Sequence, residues 1–444
     1  MTAQTEPTKL PQLAMHEQLT GTTDDLHRCA PIVDTPIVDT ASSRAVATDT
    51  PGTGAGLMSR RSVLHHIGLG AATVVVAGIA VGSYRVFDNG VLDAGDGRAY
   101  DAWSNWRDDR TLLGAVAGAI LAANPHNTQP WIFHVTADSI ELFADPARRT
   151  GTLDSLDREQ RIGLGCALEN LVLAATARGY RATVTLLPDA ADATHVATVN
   201  FVDGPPDASS LHDAIDRRHS NRGPYTDEAV PDDVLATLES ASAGLDDVSV
   251  RWFTTPAERT TLSAMIIDAT KAIIDDQQQS RDSFVWFRNN RDDIDTHMDG
   301  LTLDAQGLSP MVLAAAKILP ATSRTAGDAF WLDQTRTVHT ATAAAYGVIT
   351  VADPNDPAQQ LTGGRLLQRI HLAATVVGLG LQHMNQITER VDRDTSLSQP
   401  SKFATAMDSL LAQPDRHALS TFRVGHPVRP GRLSPRRPVS DVTR

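Results

Sequence analysis

The sequence predicts an α+β chain in which two related halves are fused and close on each other as an intrachain pseudo-dimer. A helical pattern recurs at a constant offset of 199 residues, each copy follows an Ala-Asp-Pro strand exit, and strand-like alternation flanks the helices. Gly165, Leu168, Leu173-Ala-Ala-Thr176 and Gly179 align without a gap onto Gly364, Leu367, Leu372-Ala-Ala-Thr375 and Gly378. Upstream, Ala144-Asp145-Pro146 is echoed by Ala352-Asp353-Pro354. Seven identities in one register, with the shared strand exit, indicate duplication rather than coincidence.

Length and charge bound the rest. A chain of 444 residues has room for two or three domains, and a net charge of −14 argues against a general nucleic-acid-binding surface. Cys29 and Cys166 lie in unlike contexts, so no disulfide framework is expected, and no Cys/His spacing or HExxH motif points to a metal. Residues 1–57, rich in Thr, Asp, Pro and Ala, cannot offset their ordering entropy and are expected to be disordered. Residues 58–98 read as a signal or anchor with a linker: Met58-Ser-Arg60-Arg61 precedes an uncharged stretch at 67–82. The paired arginines suggest twin-arginine export to a periplasmic or extracytoplasmic site. An uncleaved membrane anchor at 67–82, cytoplasmic retention and a start at Met58 remain open.

Globular character begins near Tyr100, with a first repeat at 99–205 and a second at 206–444. In the first copy Leu164, Leu168, Leu171, Val172 and Ala175 fall at helical spacing, and in the second Leu366, Ile370, Ala373 and Val377 do so. Gly179 and Gly378 are natural helix terminators, and the alternation in Ala182-Thr-Val184-Thr-Leu186 marks a strand after the first. Helices are expected from Leu211, at Val234–Ser242 and at Glu258–Asp276, with a strand at Val248–Phe253. Residues 281–325 break the pattern and read as an inserted lid.

Two stretches stand out chemically. Asn124-Pro-His-Asn127-Thr-Gln129-Pro-Trp131-Ile-Phe133 packs carboxamides and aromatics into a proline-rigidified turn. It is either the wall of a site for a flat heteroaromatic, with Trp131 and Phe133 as floor, or a capped turn with a core Trp. Arg217-Arg218-His-Ser220-Asn-Arg222 is either a phosphate cradle or a solvated basic face pairing with Asp213, Asp216 and Asp227. A second basic cluster, Arg432-Leu-Ser434-Pro-Arg436-Arg437, either joins the same anion or is a frayed tail. With no nucleophile elbow or Walker loop, a bound cofactor is the expected source of any chemistry.

Together these residues resemble the FMN-dependent nitroreductase superfamily, and within it the tandem-repeat Acg-type FMN-binding branch. The resemblance runs from about Tyr100 to Val442 and rests on Asn127-Thr-Gln129-Pro-Trp131, on Arg218-x-Ser220-x-Arg222, on the duplicated helix and on the terminal Phe422-Arg423-Val-Gly425 segment. It implies two fused nitroreductase-like repeats holding one FMN. Arg218, Ser220, Arg222, Arg436 and Arg437 would come from the later repeat; Asn124, Asn127 and Gln129 from the earlier one. Gln382, His383 and Met384 would approach the reactive edge. One site is expected because the first repeat lacks the arginine box and Leu245-Asp-Asp-Val-Ser replaces the turn in the second. The implied activity is transfer of electrons from NAD(P)H through FMN to a nitroaromatic, quinone or similar small acceptor. The rival expectation is an FMN-sequestering or storage protein whose lid limits turnover.

Overall fold

The computed structural model describes residues 95–444. The leader, the twin-arginine segment, the apolar stretch at 67–82 and Cys29 lie outside the described residues. Among the described residues, no helix is long and apolar enough to cross a membrane.

Helix α1 (Leu112–Ala119) begins where Thr111 accepts a hydrogen bond from the Leu113 N–H. It leads through the Asn124–Gln129 turn into β1 (Trp131–Val135) and β2 (Ser139–Ala144). Helix α2 (Arg158–Ala177) follows, then β3 (Tyr180–Leu186) and β4 (His195–Asp203). These four strands form an antiparallel sheet in the order β1-β2-β4-β3. The later half contains β5 (Ser249–Phe253), helix α3 (Pro256–Asp275), β6 (Ala345–Val351), helix α4 (Pro357–Val376), β7 (Gly380–His383), helix α5 (Gln386–Ser396) and β8 (His417–Gly425). Its sheet runs β5-β6-β8-β7, again antiparallel throughout. Read in chain order, the two sheets have the same topology.

Helices α2 and α4 carry the duplicated pattern, and both of their ends differ by the same 199 residues. They pack against each other over glycine. A Cβ on Gly165 would stand 2.1 Å from the Leu361 carbonyl oxygen, and one on Gly364 would stand 2.1 Å from the Ile162 carbonyl oxygen. Leu361 and Ile162 are themselves 199 apart, so each copy meets its own counterpart across the crossing. Side chains flanking it follow the same exchange but differ in chemistry. On one side Gln368 Nε2 donates to Asn170 Oδ1 (2.8 Å); at the equivalent positions on the other, Arg369 Nε donates to Glu169 Oε1 (2.6 Å). Arg365 adds a second ion pair to Glu169 at 2.8 Å.

The halves differ most between their first two strands. Three residues, 136–138, join β1 to β2, whereas 254–344 lie between β5 and β6. The excursion is therefore wider than the expected 281–325, because α3 and the helix at Arg324–Gln334 also belong to it. The helices expected near 211, 234 and 258 and the strands near 182 and 248 are present within a few residues of their predicted bounds. After β8 the chain returns to the first half: the Phe133 N–H donates to Val442 O (2.7 Å) and the Arg444 N–H to Phe133 O (2.9 Å). This arm covers the free edge of β1 and ties the later half to the earlier sheet.

Substituting Gly165→Ala or Gly364→Ala should each destabilise the fold by about 1–3 kcal/mol, since the intruding methyl meets rigid backbone rather than a movable side chain. Urea unfolding monitored by circular dichroism reads this; a gain in stability, as alanine gives at an open helix position, would contradict the close crossing.

Candidate functional site

The turn after α1 is strained. His126, Asn127 and Gln129 all have positive φ (47°, 55° and 51°), a region that costs a non-glycine residue about 1–3 kcal/mol. Tertiary bonds hold it. Asn124 Oδ1 accepts from the Gln129 N–H (2.8 Å), Gln129 Nε2 donates to Met298 O (2.8 Å), and Asn127 Nδ2 donates to Pro435 O (2.9 Å) and Gly300 O (3.2 Å). The wide excursion and the C-terminal arm thus both grip the turn. Asp299 reinforces the first grip by receiving Arg148 at 2.7 Å and Arg288 at 2.6 Å.

The arginine box is an extended stretch beside β7: Ser220 bridges Leu381, and the Asn221 N–H donates to Leu381 O (2.9 Å). Extended backbone turns alternate residues to one face, so Arg218, Ser220 and Arg222 share a side while His219 and Asn221 take the other. Arg218 is 2% exposed. Its Nη2 donates to Leu121 O (3.0 Å) and its Nη1 contacts His371 Nδ1 (3.4 Å). Arg436 comes from the arm, lies over the Trp103 ring at 4.8 Å and donates to Ala122 O (3.2 Å) and to Asn127 Oδ1. Both guanidiniums therefore meet the carbonyls just past α1, where positive charge is favoured.

Those carbonyls satisfy the arginines only in part. The buried Nε atoms of Arg218 and Arg436 have no hydrogen-bond partner, and no carboxylate among the described residues pairs with either group or with Arg222. Burial lowers Arg218 and Arg222 to about 10. Burial also pulls Arg436 well below its ordinary value, and the neighbouring Arg218 charge adds to the effect. The nearby imidazoles stay neutral: burial, then Arg218 and Arg436, push His219 down to about 3, and burial holds His371 well below its usual range. Buried, mutually repelling cations without counter-charge favour an anion.

A small cavity of about 40 Å³ is lined by Asn124, Asn127, Arg218, Ser220, Arg222 and Arg436, among others. A larger one of about 360 Å³ shares Ser220, Arg222, Ala305 and Arg432 with it. The expected contributors from the two halves therefore do meet: Asn124 and Asn127 from the earlier, Arg218, Ser220, Arg222 and Arg436 from the later.

The other expected residues are placed elsewhere. Gln129 is fully buried, and both ends of its amide are engaged, by Met298 O and by the Arg437 N–H, so it braces the turn rather than lining a cavity. Gln382 accepts from Arg423 Nε (2.7 Å), which holds it in the sheet, and neither cavity includes it. Met384 is wholly buried in the core with Phe253, Leu262 and Ile266. His383 packs edge-on to His371 at 5.4 Å and lines neither cavity. Arg437 turns away, donating to Asp441 O (2.6 Å), and Arg217 is exposed on the outer side of the box. Trp131 and Phe133 are fully buried core residues, so the aromatic floor is absent.

The sequence reading missed Trp103 and His371. Trp103 carried no local motif. His371 did carry a signal, since the equivalent position in the first copy is Val172, and a polar departure inside an otherwise apolar helix face invites a functional reason.

No family model matches the chain. Among curated proteins it is 30% identical over 185 residues to Putative NAD(P)H nitroreductase Rv3131 of Mycobacterium tuberculosis H37Rv, covering 41% of this chain and 53% of that protein. It is 31% identical over 119 residues to Putative NAD(P)H nitroreductase acg of the same organism, covering 26% of this chain and 36% of that one. The chain is thus similar, over part of their length, to mycobacterial proteins named as NAD(P)H nitroreductases. It spans about half the length of the first of those two relatives and about a third of the second. Among solved structures, the chain matches a nitroreductase with bound FMN from Desulfitobacterium hafniense DCB-2 at 14% identity and a TM-score of 0.32, over 53% of this chain and 97% of that one.

The site makes stability pH-dependent. The His219 value in the fold, about 3, lies below its ordinary 6.5, so its contribution is present above about pH 6.5 and is lost as pH falls toward 3. Replacing it with Phe keeps a ring against Trp103, which lies 4.6 Å away. The fall in urea midpoint between pH 6.5 and 4.5 should be shallower for His219→Phe than for the parent; equal slopes would mean that His219 is not held neutral.

Proposed function

We propose that this chain is an FMN-dependent oxidoreductase that takes electrons from NAD(P)H and passes them to a small nitroaromatic, quinone or similar acceptor. The observation that carries the reading is the meeting of Arg218 and Arg436, buried, unpaired with carboxylate and each with an unpartnered Nε, with the Asn124–Asn127 turn on one cavity. The sequence kinship with mycobacterial proteins named as NAD(P)H nitroreductases supports it, and nothing in that kinship favours the flavin-storing alternative. FMN, when bound, supplies the two-electron redox chemistry that no side-chain constellation here offers.

The residues present fit the phosphate end of FMN. Arg218 and Arg436 would hold it through donors that now lack a partner, with the Ser220 hydroxyl beside them. Each charge-assisted bond contributes about 1.5–3 kcal/mol, and the anion also relieves the repulsion between the two cations. His371, neutral and bonded to Arg218 through Nδ1, keeps that guanidinium aimed without adding charge. Asn124 and Asn127 present the earlier half's polar wall.

In this reading the two halves stand for the two subunits of a dimer, fused so that one seam keeps a complete site. Export by the twin-arginine route also belongs to the proposal, on the Arg60-Arg61 segment and the uncharged stretch after it.

Purified protein should carry about one FMN per chain, and its flavin absorbance should bleach when NADH or NADPH is added without oxygen. Arg218→Ala should weaken FMN binding by about tenfold or more, with Arg218→Lys recovering part of the loss. A chain that takes up no FMN, or unchanged affinity in Arg218→Ala, would remove the proposed site.

A further inference from the structure

The two cavities together are lined by more positive charge than one FMN phosphate balances. Arg218, Arg222, Arg429, Arg432 and Arg436 all line them. The carboxylate among the lining residues, Asp304, is already bound to Lys317 at 2.8 Å. A phosphate monoester brings about two negative charges near neutral pH. Roughly three guanidiniums are therefore left over, and one of them, Arg429, lines the larger cavity without lining the smaller one that holds the Arg218–Arg436 pair, while Arg432 lines both.

The larger cavity is shaped for a ligand with an apolar body. Leu308, Pro310 and Leu433 contribute apolar wall, and about 360 Å³ lies in the range of small-molecule sites. Its side toward the arginine box is rigid. Gly307 has φ +71° and sits so close to the box that a Cβ there would stand 2.2 Å from the Gly223 nitrogen. The Arg429 main chain is pinned as well, its carbonyl accepting from Asn221 Nδ2 (2.7 Å), while its guanidinium makes one long bond to Gly307 O (3.4 Å). A weakly engaged guanidinium carried on a pinned main chain, at a cavity with apolar wall, is suited to an anionic substituent on a substrate.

We propose that the larger cavity selects, through Arg429 with Arg432 beside it, substrates that carry an anionic oxygen group. This rests on the oxidoreductase reading for its purpose, though not for its measurement. Two sources share the chemistry: the 2′-phosphate of a nicotinamide dinucleotide and the carboxylate of an aromatic acceptor.

Calorimetry on the full chain, with and without FMN, compares 2′,5′-ADP with 5′-AMP and 4-nitrobenzoate with nitrobenzene. The member carrying the additional anionic group should bind about tenfold or more tightly in at least one pair, and the pair that discriminates identifies the source. Arg429→Glu should abolish the preference, and Arg429→Lys should restore part of it, while FMN affinity stays within about twofold of the parent. No preference in either pair, or a preference that survives Arg429→Glu, overturns the proposal. A parallel loss of FMN affinity in Arg429→Glu also overturns it, because the arginine then serves the flavin itself. Failure to bind FMN at all would instead count against the oxidoreductase reading, with the anion preference still measurable on the flavin-free chain.

Discussion

The approach of α2 to α4 at Gly165 and Gly364 sets the position of everything else. With hydrogen in place of a methyl, the two backbones come close enough for side chains past the crossing to interlock. One such side chain is Gln368, whose Oε1 accepts from the Ala123 N–H (3.3 Å) immediately before the Asn124 turn. The helix of the later half thus fixes the entry to the earlier half's turn, while the arm that follows β8 fixes its exit through Arg437 and Val442. The strained backbone at His126, Asn127 and Gln129 is held by this grip from several sides, a common arrangement where geometry is constrained by function.

Electrostatics does the remaining selection. In an acidic protein, two arginines buried beside each other with no carboxylate would be costly unless something shares their field. The helix-end carbonyls Leu121 O and Ala122 O offset part of that cost, and the neutral imidazoles around them add none. What stays unmet is concentrated on the two Nε atoms, which is why an anion, rather than a metal or a neutral ligand, suits the place.

Much of this was legible in the sequence, for identifiable reasons. The duplicated helix announced itself because its packing demands glycine and small residues at fixed positions. The box was readable because extended backbone needs its three side chains two apart, and the turn because its prolines and amides are confined to ten residues. Tertiary placement was not readable. Trp131 and Phe133 alternate into the core rather than toward a ligand, and Gln382 is taken by Arg423, a partner 41 residues away in sequence. The full width of the excursion between β5 and β6 was hidden because α3 looks like any amphipathic helix until the sheet order shows what it interrupts.

The unlike pairs on either side of the helix crossing have a consequence for how such a protein can change. In an assembly of identical copies, any residue at the contact is imposed twice, and a change that helps one end is tried at the other whether or not it suits. Within a single chain the two ends are separate positions. Position 368 is a neutral amide that steadies the Asn124 turn, while its counterpart at 169 is a carboxylate that draws in Arg365 and Arg369. One end steadies the Asn124 turn and the other is closed by ion pairs, and a substitution at either need not be repeated at its twin.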